Sequence, residues 1–312
     1  MTSRLSALIL ASMIAGLAAP AAGQVHAELR PDSVGAPYRY VLELVTDGDA
    51  VDVVLDRRLL SLRVEVEGRR RPLTCRHPAA PRRVSTERVV HLDSSSSRVA
   101  EWLDLRMYCA GAALDALRAG GNVEARYGFS RGSRQRWVAK AAEGRPVARL
   151  DLPEFALTPV TPVEPAEAPV RVVLASSTAT VDRAPTFRLS LRSDGPTRIV
   201  YARDDLYGFH VKGPLGEVDC GPDRVEISPI VDFYQRLRGR RGSSARVDSA
   251  QACPEAFSVA GVYEVTPTID LIYGGERYDL DAVTGHFEGV PALLRVVGGP
   301  YVTHPVEGHE TP

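Results

Sequence analysis

The feature that most constrains this chain is that it repeats itself. Tyr40-Val-Leu-Glu-Leu-Val-Thr-Asp47-Gly48 and Phe187-Arg-Leu-Ser-Leu-Arg-Ser-Asp194-Gly195 share an apolar alternation that ends in Asp-Gly, 147 residues apart. Leu59 and Leu206 keep that offset, Glu67-Gly68 and Lys212-Gly213 stand 145 apart, and so do Cys75 and Cys220. Leu103-Asp104 before Cys109 matches Val247-Asp248 before Cys253 at 144, and Ala119-Gly120-Gly121-Asn122-Val123 is similar to Val259-Ala260-Gly261-Val262-Tyr263. A slow drift of this kind is what two copies of one unit with small loop differences leave behind.

The repeat selects a cysteine pairing. Four cysteines allow three connectivities, but Cys75 and Cys109 are 34 residues apart and Cys220 and Cys253 are 33 apart, one pair per copy. Each copy is therefore expected to close its own bridge, Cys75–Cys109 and Cys220–Cys253. A length of 312 residues accommodates two such domains.

Alternating apolar positions predict strands at Tyr38 to Thr46, Val51 to Leu55, Leu60 to Val66, Arg88 to Leu92 and Asn122 to Phe129. In the second copy they fall at Val170 to Leu174, Thr186 to Leu191, Arg198 to Ala202, Phe209 to Val211, Val262 to Leu271 and Leu293 to Val297. Helical candidates are short, near Ala112 to Arg118 and Arg134 to Ala142. The expected fold class is all-β, two tandem antiparallel β-sandwiches with one bridge in each. The dense prolines between Pro153 and Pro169 read as an extended spacer. The expected organisation is then a leader at 1–23, a first domain at 28–152, a linker at 153–169, a second domain at 170–300 and a tail at 301–312.

The second copy also resembles a known class. Val181-Asp-Arg-Ala-Pro185-Thr-Phe-Arg-Leu before a strand, and Phe257-Ser-Val-Ala-Gly-Val-Tyr263-Glu-Val, are similar to phrases in the immunoglobulin-like accessory domains of secreted bacterial proteins. That resemblance implies the fold and little about a ligand. The tryptophan that antibody-type domains hold between their cysteines is missing from the expected place, so the bridges are expected to pin a sheet edge or a loop.

The N-terminus carries an address. Arg4 precedes an apolar run from Leu5 to Leu17, and small residues follow to Gly23, the pattern of a secretory signal peptide. The run is too short to cross a bilayer, which takes about 20 residues, so no membrane span is expected. Export to the periplasm or beyond agrees with paired cysteines.

Composition excludes more than it selects. With 44% hydrophobic residues, 25% charged residues and a formal charge of -1, nothing global points to nucleic acid. The arginine runs at Arg69-Arg70-Arg71, at Arg82-Arg83 and across Arg236, Arg238, Arg240 and Arg241 read as solvated loops. Gly128-Phe129-Ser130-Arg131-Gly132 has the form of a nucleophile elbow, but a chain of hairpins lacks the parallel sheet and crossover helices that a hydrolase needs, and a glycine-rich turn explains the same residues. His304, Glu307 and His309 could ligate a metal on a rigid element, yet they lie in a proline-flanked tail.

Asp47, Asp49 and Asp52, and Asp279 and Asp281, raise the question of calcium, which takes six to eight oxygens. The Asp-Gly pairs read more simply as hairpin turns. Asp104 and Asp248 recur before a cysteine and are assigned a structural hydrogen bond. Neither a cofactor nor a metal site is expected.

Most of the aromatics, Trp102, Tyr108, Trp137, Tyr201, Tyr207, Phe233, Tyr234 and Tyr273, alternate as core residues do. Tyr207, and Phe233-Tyr234 beside Arg236, Arg238, Arg240 and Arg241, are the places expected to touch a partner. The functional expectation is an exported, non-catalytic binding or scaffold protein contacting another envelope protein or a surface polymer. The alternatives are a hydrolase using Ser130 or a protease-inhibitor module.

Overall fold

The computed structural model describes residues 25–32, 37–129, 136–142, 144–161, 168–175, 178–182 and 184–301. The leader, Ser130, the central prolines of the spacer and the His304/His309 tail lie outside the described residues.

The described chain is mostly strand. The first half runs β1 (Val25–Pro31), β2 (Arg39–Thr46), β3 (Val51–Val54), β4 (Leu60–Val64), β5 (Leu73–Arg76), β6 (Val89–Leu92) and β7 (Arg98–Asp104). Helix α1 (Ala112–Arg118) follows, then β8 (Asn122–Gly128), β9 (Ala139–Ala141), β10 (Arg149–Asp151) and β11 (Phe155–Ala156). The second half holds β12 (Arg171–Leu174), β13 (Thr178–Val181), β14 (Thr186–Tyr201), β15 (Tyr207–Gly213), β16 (Gly216–Cys220) and β17 (Tyr234–Asp248). A single turn, α2 (Ser249–Ala252), leads to β18 (Gly261–Leu271), β19 (Gly285–Glu288) and β20 (Ala292–Val296). Among the described residues no helix is long and apolar enough to cross a membrane.

Period-two burial explains why these segments are strands. On β8, Val123, Ala125 and Tyr127 point inward while Glu124 and Arg126 point out, and on β4 Leu60, Leu62 and Val64 face the same core.

Strands of the first half form the sheets β1-β2-β7, β6-β3-β9 and β10-β8-β4-β5, with β11 also on β8. The second half forms β12-β14-β17 and β13-β20-β18-β15-β16, with β19 also on β18. Pairing is antiparallel except between β13 and β20, which run parallel, so the larger sheet of the second half is mixed rather than antiparallel throughout.

The repeat is built into the pairing register. Leu29 faces Leu42 as Leu174 faces Leu189. Arg39 faces Asp104 as Thr186 faces Asp248, and Val54 faces Val89 as Tyr201 faces Tyr234. Hydrogen bonds outside the ladders recur too: across a single turn Leu59 N–H donates to Asp56 O at 2.9 Å and Leu206 N–H to Arg203 O at 3.1 Å, and between distant segments Leu105 N–H donates to Tyr38 O at 3.0 Å and Ser249 N–H to Pro185 O at 3.1 Å. Asp104 caps the turn after β7 by accepting from Arg106 N–H at 2.9 Å, and Asp248 caps α2 by accepting from Ala250 N–H at 3.0 Å. The structural hydrogen bond expected of these two aspartates is present in both halves.

Several expectations are corrected by this arrangement. Asp47-Gly48 does not close a hairpin: β2 pairs with β1 and β7, β3 pairs with β6 and β9, and the Asp-Gly is the corner where the chain changes sheets. In the second half the two segments are one 16-residue strand, β14, and Asp194-Gly195 falls where its register on β17 shifts. Both neighbours of each segment come from elsewhere in the chain, so no ladder is left for a hairpin. The described end of the helix expected near Arg134 to Ala142 is strand β9, held on β3.

The arginine run from Arg236 is not a loop either. It lies on β17, where Leu237, Ala245 and Val247 face the core and Arg236, Arg238 and Arg241 face solvent. The described start of the proline-rich spacer is likewise packed: Phe155 stacks on Tyr40 with centroids 5.2 Å apart, Leu157 is buried, and Val160 N–H donates to Arg118 O at 2.8 Å.

Disulfides Cys75–Cys109 and Cys220–Cys253 are formed, one in each half, as cysteines of an oxidising compartment are. Each ties an edge strand, β5 or β16, to the segment that follows β7 or β17. Two apolar cores result, and Val262 and Leu293, both from the second half, belong to the first of them. That placement makes the junction between the halves a packed surface.

Candidate functional site

At this junction a cleft of about 680 Å³ opens, walled by Tyr38, Arg39, Arg57, Trp102, Arg106 and Tyr301 on one side and by the β15–β16 turn on the other. Its first wall grows out of the capped turn after β7. Asp104 holds Arg106 through the backbone N–H and through the guanidinium, with Nη2 2.7 Å from Oδ2. The far end of that guanidinium reaches across the junction to Glu264 on β18 and lies 5.0 Å over the Tyr38 ring. Burial alone would lower the Arg106 pKa, but Asp104 and Glu264 more than offset it and raise it.

Two more stacks continue the wall. Arg39 sits 4.6 Å over the Trp102 ring, with Asp32 3.4 Å from its Nε. Arg57 sits 4.5 Å over Tyr301 and is fixed from behind by Glu101, which accepts from the Arg57 backbone N–H at 2.6 Å and from Nε at 2.8 Å. Tyr108 Oη donates to Arg57 O at 2.7 Å, completing the anchor. Cation–π contacts of this kind are worth about 0.5–1 kcal/mol each where exposed and more when desolvated.

Behind Tyr301, His77 is 2% exposed. Its Nδ1 accepts from Ala79 N–H at 3.0 Å, so the ring proton sits on Nε2, which donates to Tyr301 Oη at 2.8 Å. Burial, reinforced by the charge of Arg58, lowers the His77 pKa from 6.5 to about 4, and burial raises that of Tyr301 to about 12. Both groups are neutral at ordinary pH. Arg295 on β20, 8% exposed, donates to Cys109 O at 3.3 Å, and burial lowers its pKa.

The opposite wall depends on close backbone approach. A Cβ at Gly213 would collide with the Tyr263 ring and one at Gly261 with the Pro214 ring, so glycine lets the β15–β16 turn lie against β18. Chemically, the cleft offers three flat guanidinium–aromatic stacks whose charges are already engaged by carboxylates. Among the described residues of its lining there is no serine, cysteine or histidine. Such walls grip rings and extended chains by stacking and by the remaining guanidinium N–H groups.

The partner-contact residues expected from sequence are not brought to this cleft. Tyr207 is 1% exposed and belongs to the second core, which removes it from any contact surface. Phe233 and Tyr234 are half-buried and pack on Tyr201, with ring centroids 5.7 and 5.0 Å away. Arg236, Arg238 and Arg241 share the solvent face of β17, and the Arg240 side chain lies outside the described ones. Among the described residues no three His, Cys, Asp or Glu side chains converge as a metal set, and Asp279 instead ends a single turn in the left-handed region at φ 50°.

Sequence reasoning singled out Trp102 and Tyr108 but missed Tyr38, Arg39, Arg57, Arg106, His77 and Tyr301. One signal was available: Asp56-x-Arg58 and Asp104-x-Arg106 repeat a spacing in which the aspartate caps a turn and clamps the arginine that follows. No protein-family model and no curated protein matches the chain.

Proposed function

We propose that this chain is an exported, non-catalytic binding and scaffold protein made of two immunoglobulin-like β-sandwich units, and that loops at their junction hold a segment of another envelope protein or of a surface polymer. The junction cleft carries the reading. Three stacked arginines and aromatics, the side chains most often found at binding hot spots, converge there, and the described lining holds no serine, cysteine or histidine. The two disulfides and the apolar N-terminal run support export.

A photo-reactive amino acid at position 102 or 39, introduced in the producing cell, tests this directly. Adducts with an envelope protein or polymer are expected from both positions, and fewer with Tyr38→Ala and Arg57→Ala. No adducts from either position, or adducts only when the same probe is placed at position 236 on the outer face of β17, would overturn the assignment of the cleft.

A further inference from the structure

Among the described residues β5 in the first half and β16 in the second are each an edge strand of their sheet, paired on one side only, by β4 and by β15. They are equivalent in the repeat, each carrying the first cysteine of its half. An open edge displays unpaired N–H and C=O groups that template another strand. Proteins usually guard such edges with charge.

The charges on the two edges are opposite. Between residues 69 and 83 stand Arg69, Arg70, Arg71, Arg76, Arg82 and Arg83 with no acid among them, all exposed. The equivalent stretch 214–228 holds Glu217, Asp219, Asp223 and Glu226 against the single basic Arg224. Among the described residues none of the six arginines makes a salt bridge, and neither does Asp223 or Glu226, whereas Glu217 and Asp219 pair with Lys212 and His210 on the neighbouring β15.

The acidic edge is also longer than its strand and partly apolar. Leu215, Val218, Val225 and Ile230 are 56%, 41%, 60% and 44% exposed along it. Beyond β16 the chain is held from the inside, with Tyr273 Oη donating to Ile227 O at 2.9 Å, Tyr278 Oη to Pro229 O at 2.8 Å, and Val225 N–H to Asp205 Oδ2 at 3.1 Å. The exposed groups of Arg224, Glu226 and Ser228 are left on the outside.

We propose that copies of this chain associate head to tail, the arginine-lined β5 edge of one pairing with the acidic β16 edge of the next. Like edges repel: β5 against β5 sets arginine on arginine, and β16 against β16 sets carboxylate on carboxylate. Only the unlike pairing joins opposite charges while continuing both sheets, and it joins two different surfaces, so each copy keeps one edge free for a further copy. This contact and the cleft share only the β15–β16 turn, the arginine–aromatic wall takes no part in it, and the cleft's ligand can fail to appear without affecting it.

Sedimentation velocity of the full chain tests the proposal. At low ionic strength the weight-average mass should rise with concentration, and about 0.5 M salt should return it toward monomer. Asp219→Arg with Glu226→Arg, and separately Arg70→Glu with Arg71→Glu, should each weaken association by about tenfold or more. An equimolar mixture of the two variants should associate again, because each now offers the edge that the other lacks. Circular dichroism verifies that both variants are folded. A wild-type chain that stays monomeric at low salt, variants that associate as well as the wild type, or a mixture of folded variants that stays monomeric would each overturn it, as would a monomer whose β16 edge takes up only a foreign basic strand.

Discussion

The two halves share a register and differ in what they do with it. Asp56 and Arg58 in the first half form a bidentate pair across a single turn, and the equivalent positions in the second are Arg203 and Asp205, paired in the reverse order. Both turns carry opposite charges two residues apart, but only Asp56 also caps its turn, by accepting from Arg58 N–H; Arg203 makes no such side-chain cap. Arg106 and Tyr108, which anchor the cleft, correspond to Ala250 and Ala252, which carry neither a guanidinium nor a ring. Tyr127, which fastens a corner through its hydroxyl, corresponds to the wholly apolar Ile269. Where the halves agree they describe the fold, and where they diverge they mark the site.

The bridges give the largest test of this equivalence. Each closes a loop of nearly the same length, 34 and 33 residues of separation, so alanine at both Cys75 and Cys109, or at both Cys220 and Cys253, should cost about 4 kcal/mol in either half. Thermal and denaturant unfolding of the two double variants measures it. A difference above about 2 kcal/mol would break the equivalence.

Next comes His77, whose second-half counterpart after Cys220 is a proline and cannot titrate. Its pKa is depressed in the folded chain, to about 4 from 6.5, so the unfolded chain binds more protons between those values. The stabilisation is complete above pH 6.5, falls as pH drops through that window, and levels off below about 4, a loss on the order of 3 kcal/mol. The groups facing the ring are Arg57, Arg58 and Arg295, which oppose its protonation, and Asp56, which favours it. His77→Phe should flatten the pH dependence of stability across this window, and an unchanged slope would reassign it.

Tyr127 Oη accepts from Asp56 N–H at 2.8 Å and donates to Val54 O, joining the corner after β3 to β8. Tyr127→Phe leaves both backbone groups buried without that partner and should cost about 2 kcal/mol. Ile269→Val, at the equivalent register, should cost about 1 kcal/mol by lost methylene burial alone.

The smallest effect sharpens the comparison most. Asp56→Arg and Arg58→Asp should each destabilise the first half, and the double swap should recover about 1 kcal/mol of their sum, because it recreates the order seen at Arg203 and Asp205. A double-mutant cycle with no coupling would mean that the reversed pairs are unrelated.

Periodicity and repetition made much of the fold legible. The strands around Leu60, Val123 and Val262, the helix over Ala112 to Arg118, the disulfide pairs and the aspartate caps were all written as local pattern or as recurrence. Long pairings were not: β14 was legible only as two separate strands, and β17 hides inside polar, glycine-broken sequence, because its inward positions are held by Leu237, Ala245 and Val247 among arginines. Even less of the cleft was legible. Its stacks bring together residues as far apart as Arg57 and Tyr301, and Tyr207 reads as a turn aromatic although its register on β18 sinks it into the core. Contacts of that range depend on how the halves meet, which no window of sequence contains.

Each bridge joins cysteines that are consecutive in the chain. A polypeptide threaded N-terminus first into an oxidising space presents Cys75, then Cys109, before either later thiol has arrived. The first correct bond is thus available while the second half is still in transit, and at no stage must a cysteine wait past a wrong partner for the right one. A chain ordered in this way can be oxidised correctly one bond at a time as it enters an oxidising space.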